Sequence, residues 1–176
     1  MSVYPAVVRQ EPPLAAAAIV ALVGLATIGG FFFFQYGLGL PPCHLCLEQR
    51  MSYYVAVPLA GLLWLGAGHG ASRKVLLLGF IVLALIMLWN SGLAAYHAGV
   101  EWKFWPGPQD CTGPINNFGS VNNLMQQLQH INLVRCDVAS WRFLGISLAG
   151  WDVPLSLGLA GVAAWGAKSI STRTDH

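Results

Sequence analysis

Charged side chains are scarce in this sequence. Only 9% of its 176 residues are Asp, Glu, Lys or Arg, against about 25% in soluble domains. A water-soluble fold of this length would lack the polar surface to cover itself. The formal net charge of +2 is too small to point to nucleic acid. A second C-x-x-C pair or paired histidines, the spacing of a zinc site, is missing, so no metal is expected. Position 47 is leucine, which excludes the C-x-x-C-H form of haem attachment. Gly66, Gly68 and Ala71 match the loose pattern G-x-G-x-x-A, but a dinucleotide fold needs it between a strand and a helix. Here it lies between two apolar runs and reads as a glycine-rich turn. No internal repeat and no separate soluble domain is visible.

What is present is apolar: 56% of the residues, gathered into four long runs at about 14–36, 51–68, 74–96 and 149–167. A helix needs about 20 residues to cross the hydrocarbon core. The second run reaches that length if its helix begins near Cys43 or Leu45. The fourth contains Asp152 and Pro154, both in its first turns, where a carboxylate faces the positive end of the helix dipole and proline is tolerated. The expected fold is an all-α membrane protein, one integral membrane domain over residues 1–176. It is a four-transmembrane-helix bundle with spans at about 14–36, 45–68, 74–96 and 149–168. No run is polar enough to line a water-filled pore. The first run exceeds the 7–15 apolar residues of a signal-peptide core, so it is read as an uncleaved span.

Lysine and arginine set the orientation. Arg9, Arg73, Lys74, Lys168 and Arg173 fall on one side of the four spans. Arg50, Lys103, Arg135 and Arg142 fall on the other, mostly in a longer loop. Short loops weigh more in this rule, and 69–74 is short. Both termini are therefore expected in the cytoplasm, with the loop at about 97–148 facing outward. Within that loop Val121, Leu124, Met125, Leu128 and Ile131 recur at helical spacing behind Ser120. They predict a short amphipathic helix over 120–134, lying on the membrane surface or the bundle.

All four cysteines, Cys43, Cys46, Cys111 and Cys136, fall on the outward side by this topology. Disulfides persist in oxidising compartments and are scarce in the cytosol. The topology came from Lys and Arg alone, so the two readings agree independently. Four cysteines permit three pairings. The favoured one joins Cys43 to Cys46, which bridge through their own turn, and Cys111 to Cys136.

The C-x-x-C pair carries chemistry. Pro41 and Pro42 stop the first helix and place Cys43 near the start of the second, where unpaired N–H groups point outward. Such groups stabilise a thiolate and lower its pKa, which makes the disulfide a better oxidant. A protonated His44 would act in the same sense. Arg50 lies on the same helical face as Cys46, about 6 Å further along the helix. The plain alternatives are a structural staple and, for Arg50, a side chain snorkelling to lipid phosphate. A C-x-x-C staple closes too small a loop to stabilise much. Two electrons leaving a thiol pair at the membrane edge need an acceptor. With no nucleotide fold, haem motif or metal cluster in the chain, a lipid-soluble quinone suits the position.

At these residues the sequence resembles a known family. "PPCHLCLEQR" opening the second of four spans, with a second cysteine pair after the third, is similar to the signature of the disulfide bond formation protein B (DsbB) family. "AAYHAGVEWKFWPGPQDC" (94–111) and "CDVASWRFLGISLAGWD" (136–152) are similar to further segments, so the resemblance covers nearly the whole chain. It implies a multi-pass protein of the bacterial inner membrane, with its cysteines in the periplasm. Its task would be to reoxidise a thioredoxin-fold, DsbA-type dithiol oxidase and pass two electrons to a quinone, ubiquinone or menaquinone. Carried over by position, Cys43 and Cys46 are the quinone-side pair, and Cys111 and Cys136 the pair facing the partner. Arg50 and His97 match residues linked to the quinone, and Leu148 falls where that site has an apolar lining. Gln49 stands where glutamate is frequent. Vitamin K epoxide reductase-type proteins also combine four helices with two cysteine pairs, but there the loop pair comes first. A membrane scaffold with inert disulfides is the non-enzymatic alternative.

Overall fold

The structure is a computed structural model that describes residues 11–108 and 136–172. Helix α1 spans Glu11–Phe32 and continues as a π-helical turn over Phe33–Gly37. Helix α2 spans His44–Gly68, α3 Arg73–Glu101 and α4 Leu148–Ser171. Before α4, β1 (Arg142–Phe143) pairs antiparallel with β2 (Ile146–Ser147). The predicted helix over 120–134, Cys111 and Arg135 lie outside the described residues.

All four helices are long and apolar enough to cross a membrane. They run alternately up and down. Each packs on the next and α4 returns to α1, which closes a four-sided bundle. The outer face is apolar: Leu22, Leu62, Leu78 and Trp89 are each at least 64% exposed, the pattern of helices whose solvent is lipid. The seam is built largely from small residues, Ala16, Ala17, Ala56, Ala60 and Ala163 among them. Small side chains let backbones approach, which is how membrane helices gain packing when burial from lipid offers no hydrophobic gain. Gly166 marks one such close approach. A Cβ there would stand 2.7 Å from the Phe80 ring and 3.0 Å from Ala16.

The helix ends are specified locally. Ser147 caps α4 by accepting from the Gly150 N–H at 3.1 Å. At the other end of that helix the Arg73 guanidinium donates to the Ser171 carbonyl at 2.6 Å, a cation placed on a helix C-terminus. Helix α3 stops in a Schellman motif. The Phe104 N–H reaches the Gly99 carbonyl, the Lys103 N–H reaches that of Val100, and Lys103 itself is left-handed at φ 61°. Leu144 and Gly145, both at positive φ, form the two-residue turn of the hairpin.

Three features differ from the sequence reading. Helix α3 runs past residue 96 to Glu101, so His97 sits in a helix and not in the loop. Hydropathy falls after Ala95, but nothing there breaks a helix until the Trp102–Lys103 turn. Leu148 is the first residue of α4, because Ser147 provides the cap. The all-α expectation gains one small hairpin, which the Leu144–Gly145 turn makes possible.

Candidate functional site

Alternating helix direction brings four helix ends together: the end of α1, the start of α2, the end of α3 and the start of α4. Nearly all the polar chemistry of the bundle is at this end.

Cys43 is the N-cap residue of α2. Its Sγ accepts the Cys46 N–H at 3.2 Å, taking the place an oxygen usually holds in a helix cap. Both cysteines are free thiols with their sulfurs 2.7 Å apart. His97 reaches across from α3, its Nε2 3.6 Å from Cys43 Sγ. Its Nδ1 meets Gln49 Nε2 at 3.0 Å. The amide donates, so the ring proton resides on Nε2 and points at the sulfur. Hydrogen bonding from Cys46 is the largest influence on Cys43. Helped by His97 and opposed by burial, it draws the thiol from 9.0 down to about 4. His44 does not share in this. It is half-exposed and faces Glu48 at 3.7 Å, and His97 takes the part that the sequence suggested for it.

Glu101, one turn beyond His97, places Oε1 3.8 Å from the ring Nε2. Its Oε2 is buried with no hydrogen-bond partner among the described residues. Arg50 is only 7% exposed and does not snorkel to the surface. Its Nη1 donates to Gln35 Oε1 at 2.5 Å, and its guanidinium lies 5.2 Å above the Phe31 ring. The π turn aims Gln35 inward. One extra residue in that turn, marked by the Leu38 N–H bonding Phe33 O, resets the side-chain direction. Among the described residues, Arg50 Nε is left buried without a partner.

These groups border a cavity of about 270 Å³. Cys46, Gln49, Arg50, His97, Glu101 and Asp152 supply its polar wall. Phe31, Phe34, Pro42 and Leu148 supply much of the apolar remainder. The hairpin flanks it through a row of rings: Phe34 to Trp141 at 5.1 Å, then Trp141 stacked on Phe143 at 5.8 Å. Trp151 Nε1 donates to the Phe143 carbonyl and fixes the hairpin to α4.

Below the cavity lies a polar knot that the sequence did not reveal. Asp152 accepts from Tyr53 at 2.5 Å, from Asn90 at 2.9 Å and from Ser156 at 3.2 Å, joining α2, α3 and α4. Intramembrane carboxylates are rare and face the bundle interior; Asp152 does so with no cation among these partners. The sequence placed it against the helix dipole, and its partners are all non-local except Ser156.

Cys136 is buried and disulfide-bonded. It belongs to one apolar cluster with Cys43 and Leu45, on which Cys46 and Leu93 pack. On its other side it borders a second cavity of about 410 Å³, walled by Phe104, Trp105 and Pro106. Of the site residues expected from sequence, the fold thus gathers Cys43, Cys46, Arg50, His97, Leu148 and Cys136 at one end of the bundle. Gln35, Gln49, Glu101 and Asp152 are the additions. Gln49 and Glu101 follow the helical i, i+3 and i, i+4 spacing from Cys46 and His97, a signal available once those two are singled out.

Fold and site together define a multi-pass membrane protein carrying a buried dithiol at one end of a four-helix bundle. The family model described as "Disulfide bond formation protein DsbB" matches residues 13–166. Disulfide bond formation protein B of Albidiferax ferrireducens is 35% identical over 142 residues, covering 76% of each chain. The protein of that name from Xanthomonas axonopodis pv. citri is 30% identical over 151 residues, 82% of this chain and 84% of its own. That from Xanthomonas euvesicatoria pv. vesicatoria is 32% identical over 135 residues, 73% of this chain and 74% of its own. The chain belongs to the DsbB family and is an oxidoreductase of disulfide bond formation.

Proposed function

We propose that the protein oxidises a soluble DsbA-type dithiol partner and delivers the two electrons to a membrane quinone. The supporting observation is the placement of Cys43 and Cys46. Cys43 shares a buried cluster with Cys136, while Cys46 forms part of the cavity wall. One pair therefore touches both the loop cysteine and a compartment fit for an apolar acceptor.

A quinone ring suits that compartment chemically. The lining is mainly apolar, and Arg50 Nε is a buried donor with no partner among the described residues, which a carbonyl oxygen would satisfy. Arg50 and His97 would hold the head group, with Leu148 beside it. When bound, the quinone supplies a two-electron, two-proton acceptor more oxidising than a DsbA-type dithiol, whose potential is about −120 mV.

The chain's own residues perform thiol–disulfide exchange. A partner thiolate attacks Cys111 of the Cys111–Cys136 disulfide and releases Cys136 as thiolate. The partner's second thiol displaces Cys111, and the partner departs oxidised. Cys136 then attacks Cys43, and Cys46 leaves as thiolate beside the cavity. Cys111 displaces Cys43 from Cys136, which restores the loop disulfide and leaves the reduced Cys43–Cys46 pair. His97 steadies Cys43 once it is released as a thiolate. Re-forming the Cys43–Cys46 bond releases two electrons to the acceptor. In this reading the dithiol end of the bundle faces the periplasm and both termini face the cytoplasm.

The test is quinone reduction by purified protein supplied with a reduced DsbA-type substrate, compared with Cys111→Ser. Turnover by the unmodified protein and none by the variant is expected. A scaffold would show no quinone-dependent reoxidation of its thiols. Normal turnover by Cys111→Ser would remove the loop pair from the path.

A further inference from the structure

The fold brings a third metal-ligating side chain, distant in sequence, up to Cys43 and Cys46. Cys43 Sγ, Cys46 Sγ and a ring nitrogen of His97 lie within 4.8 Å of one another. We propose that the reduced dithiol is a redox-gated site for a thiophilic divalent cation of the zinc class, with His97 as third ligand. The proposal rests on the redox reading only in requiring that the pair exist as both dithiol and disulfide.

Geometry carries it. Tetrahedral zinc holds sulfur at about 2.3 Å and imidazole nitrogen at about 2.0–2.1 Å, so neighbouring ligand atoms stand roughly 3.5–3.8 Å apart. The Cys43–His97 separation of 3.6 Å already matches. The two sulfurs, at 2.7 Å, must part by about 1 Å, a small side-chain rotation at the first turn of a helix. Glu101 is placed to supply the fourth position. Its Oε1 is 3.8 Å from the same ring nitrogen, and its Oε2 is buried with no hydrogen-bond partner among the described residues.

The outer shell also fits. A metal-bound imidazole donates its other N–H to an acceptor. Gln49, now donating to His97 Nδ1, becomes that acceptor when its amide turns over and the ring changes tautomer. Binding displaces the remaining thiol proton and sets a divalent charge against two thiolates, so the buried site carries little net charge from metal and sulfurs. No electron moves. The bound cation occupies both sulfurs and prevents the disulfide from closing, which makes it an inhibitor of reoxidation. The disulfide form lacks free thiolates and releases the ion.

The experiment uses full-length protein in detergent, free of quinone, carrying Cys111→Ser and Cys136→Ser so that one dithiol remains. Cadmium is titrated into the phosphine-reduced and the oxidised forms, and the ultraviolet sulfur-to-cadmium band is followed. One equivalent bound by the reduced form and none by the oxidised form is expected. His97→Ala should weaken binding by about tenfold or more. X-ray absorption of the zinc-loaded protein with His97 intact should show two sulfurs and at least one imidazole nitrogen. No binding by the reduced form, equal binding by the oxidised form, or a shell without nitrogen would each overturn the proposal. Since no quinone is present, none of these results bears on quinone reduction.

Discussion

His97 Nε2 stands 3.6 Å from Cys43 Sγ although 54 positions separate the two residues. The contact joins the last turn of α3 to the cap of α2. It places a proton donor against the sulfur that the helix terminus already favours as an anion.

The first prediction concerns that anion. In reduced protein the Cys43 thiol is drawn from 9.0 to about 4, so ultraviolet thiolate absorbance should persist as the pH falls from 8 to 6. Cys46→Ala removes the largest cause and should move the midpoint up, with His97→Ala moving it up less. The sign for stability follows. A depressed pKa contributes fully above 9.0 and is lost as pH falls toward 4, so the reduced form should melt progressively lower across that window. A midpoint unmoved by Cys46→Ala would contradict the assignment.

Arg50 is held by Gln35 and Phe31 on one side and open to the cavity on the other. Arg50→Ala should raise the KM for quinone by about tenfold or more, the effect of losing a charge-assisted hydrogen bond of roughly 1.5–3 kcal/mol. Gln35→Leu should raise it less. A change in protein abundance with unaltered kinetics would make Arg50 purely structural.

Asp152 gathers donors from three helices. Asp152→Leu removes their shared carboxylate acceptor, leaves Tyr53 and Asn90 to compete for Ser156 Oγ alone, and should cost about 1–3 kcal/mol. Asp152→Asn, which keeps an acceptor oxygen, should cost less. Thermal unfolding in detergent orders the two variants, and equal melting temperatures would contradict the network's role.

Gly166 has no room for a side chain. Gly166→Ala sets a methyl 2.7 Å from the Phe80 ring and should destabilise by about 1–3 kcal/mol, as overpacking does. Adding Phe80→Leu should recover part of the loss, a coupling that a double-mutant cycle measures.

Lys103 occupies the left-handed position that ends α3. Lys103→Gly relieves the Cβ clash and should stabilise by about 1 kcal/mol. The reverse result would mean that the Lys103 side chain makes an interaction stronger than the strain it tolerates.

Much of this arrangement was legible before the fold was known. Apolar run length gave the four spans, and Pro41–Pro42 placed the start of α2 at the cysteine pair. Local signals serve well for elements whose causes are local. What escaped was set by partners far away in the chain. Asp152 looked like a carboxylate answering a helix dipole, because Tyr53 and Asn90 lie 99 and 62 positions from it. Gln35 looked like one polar residue in an aromatic belt, since only the π turn directs it to Arg50. His97 fell outside the span because hydropathy fades before helicity does. His44 was credited with steadying the thiolate for its nearness in sequence, but residues adjacent in a helix do not share a face.

The π turn at the end of α1 amounts to one residue absorbed into a continuous helix. Deleting a single residue there would rotate everything beyond it by about 100° and shorten the helix by only about 1.5 Å. The hydrophobic length would barely change, while Gln35 would swing away from the guanidinium it now steadies. In this bundle, the register of one membrane-spanning segment sets the electrostatics of a site whose ionisable groups belong to the other three.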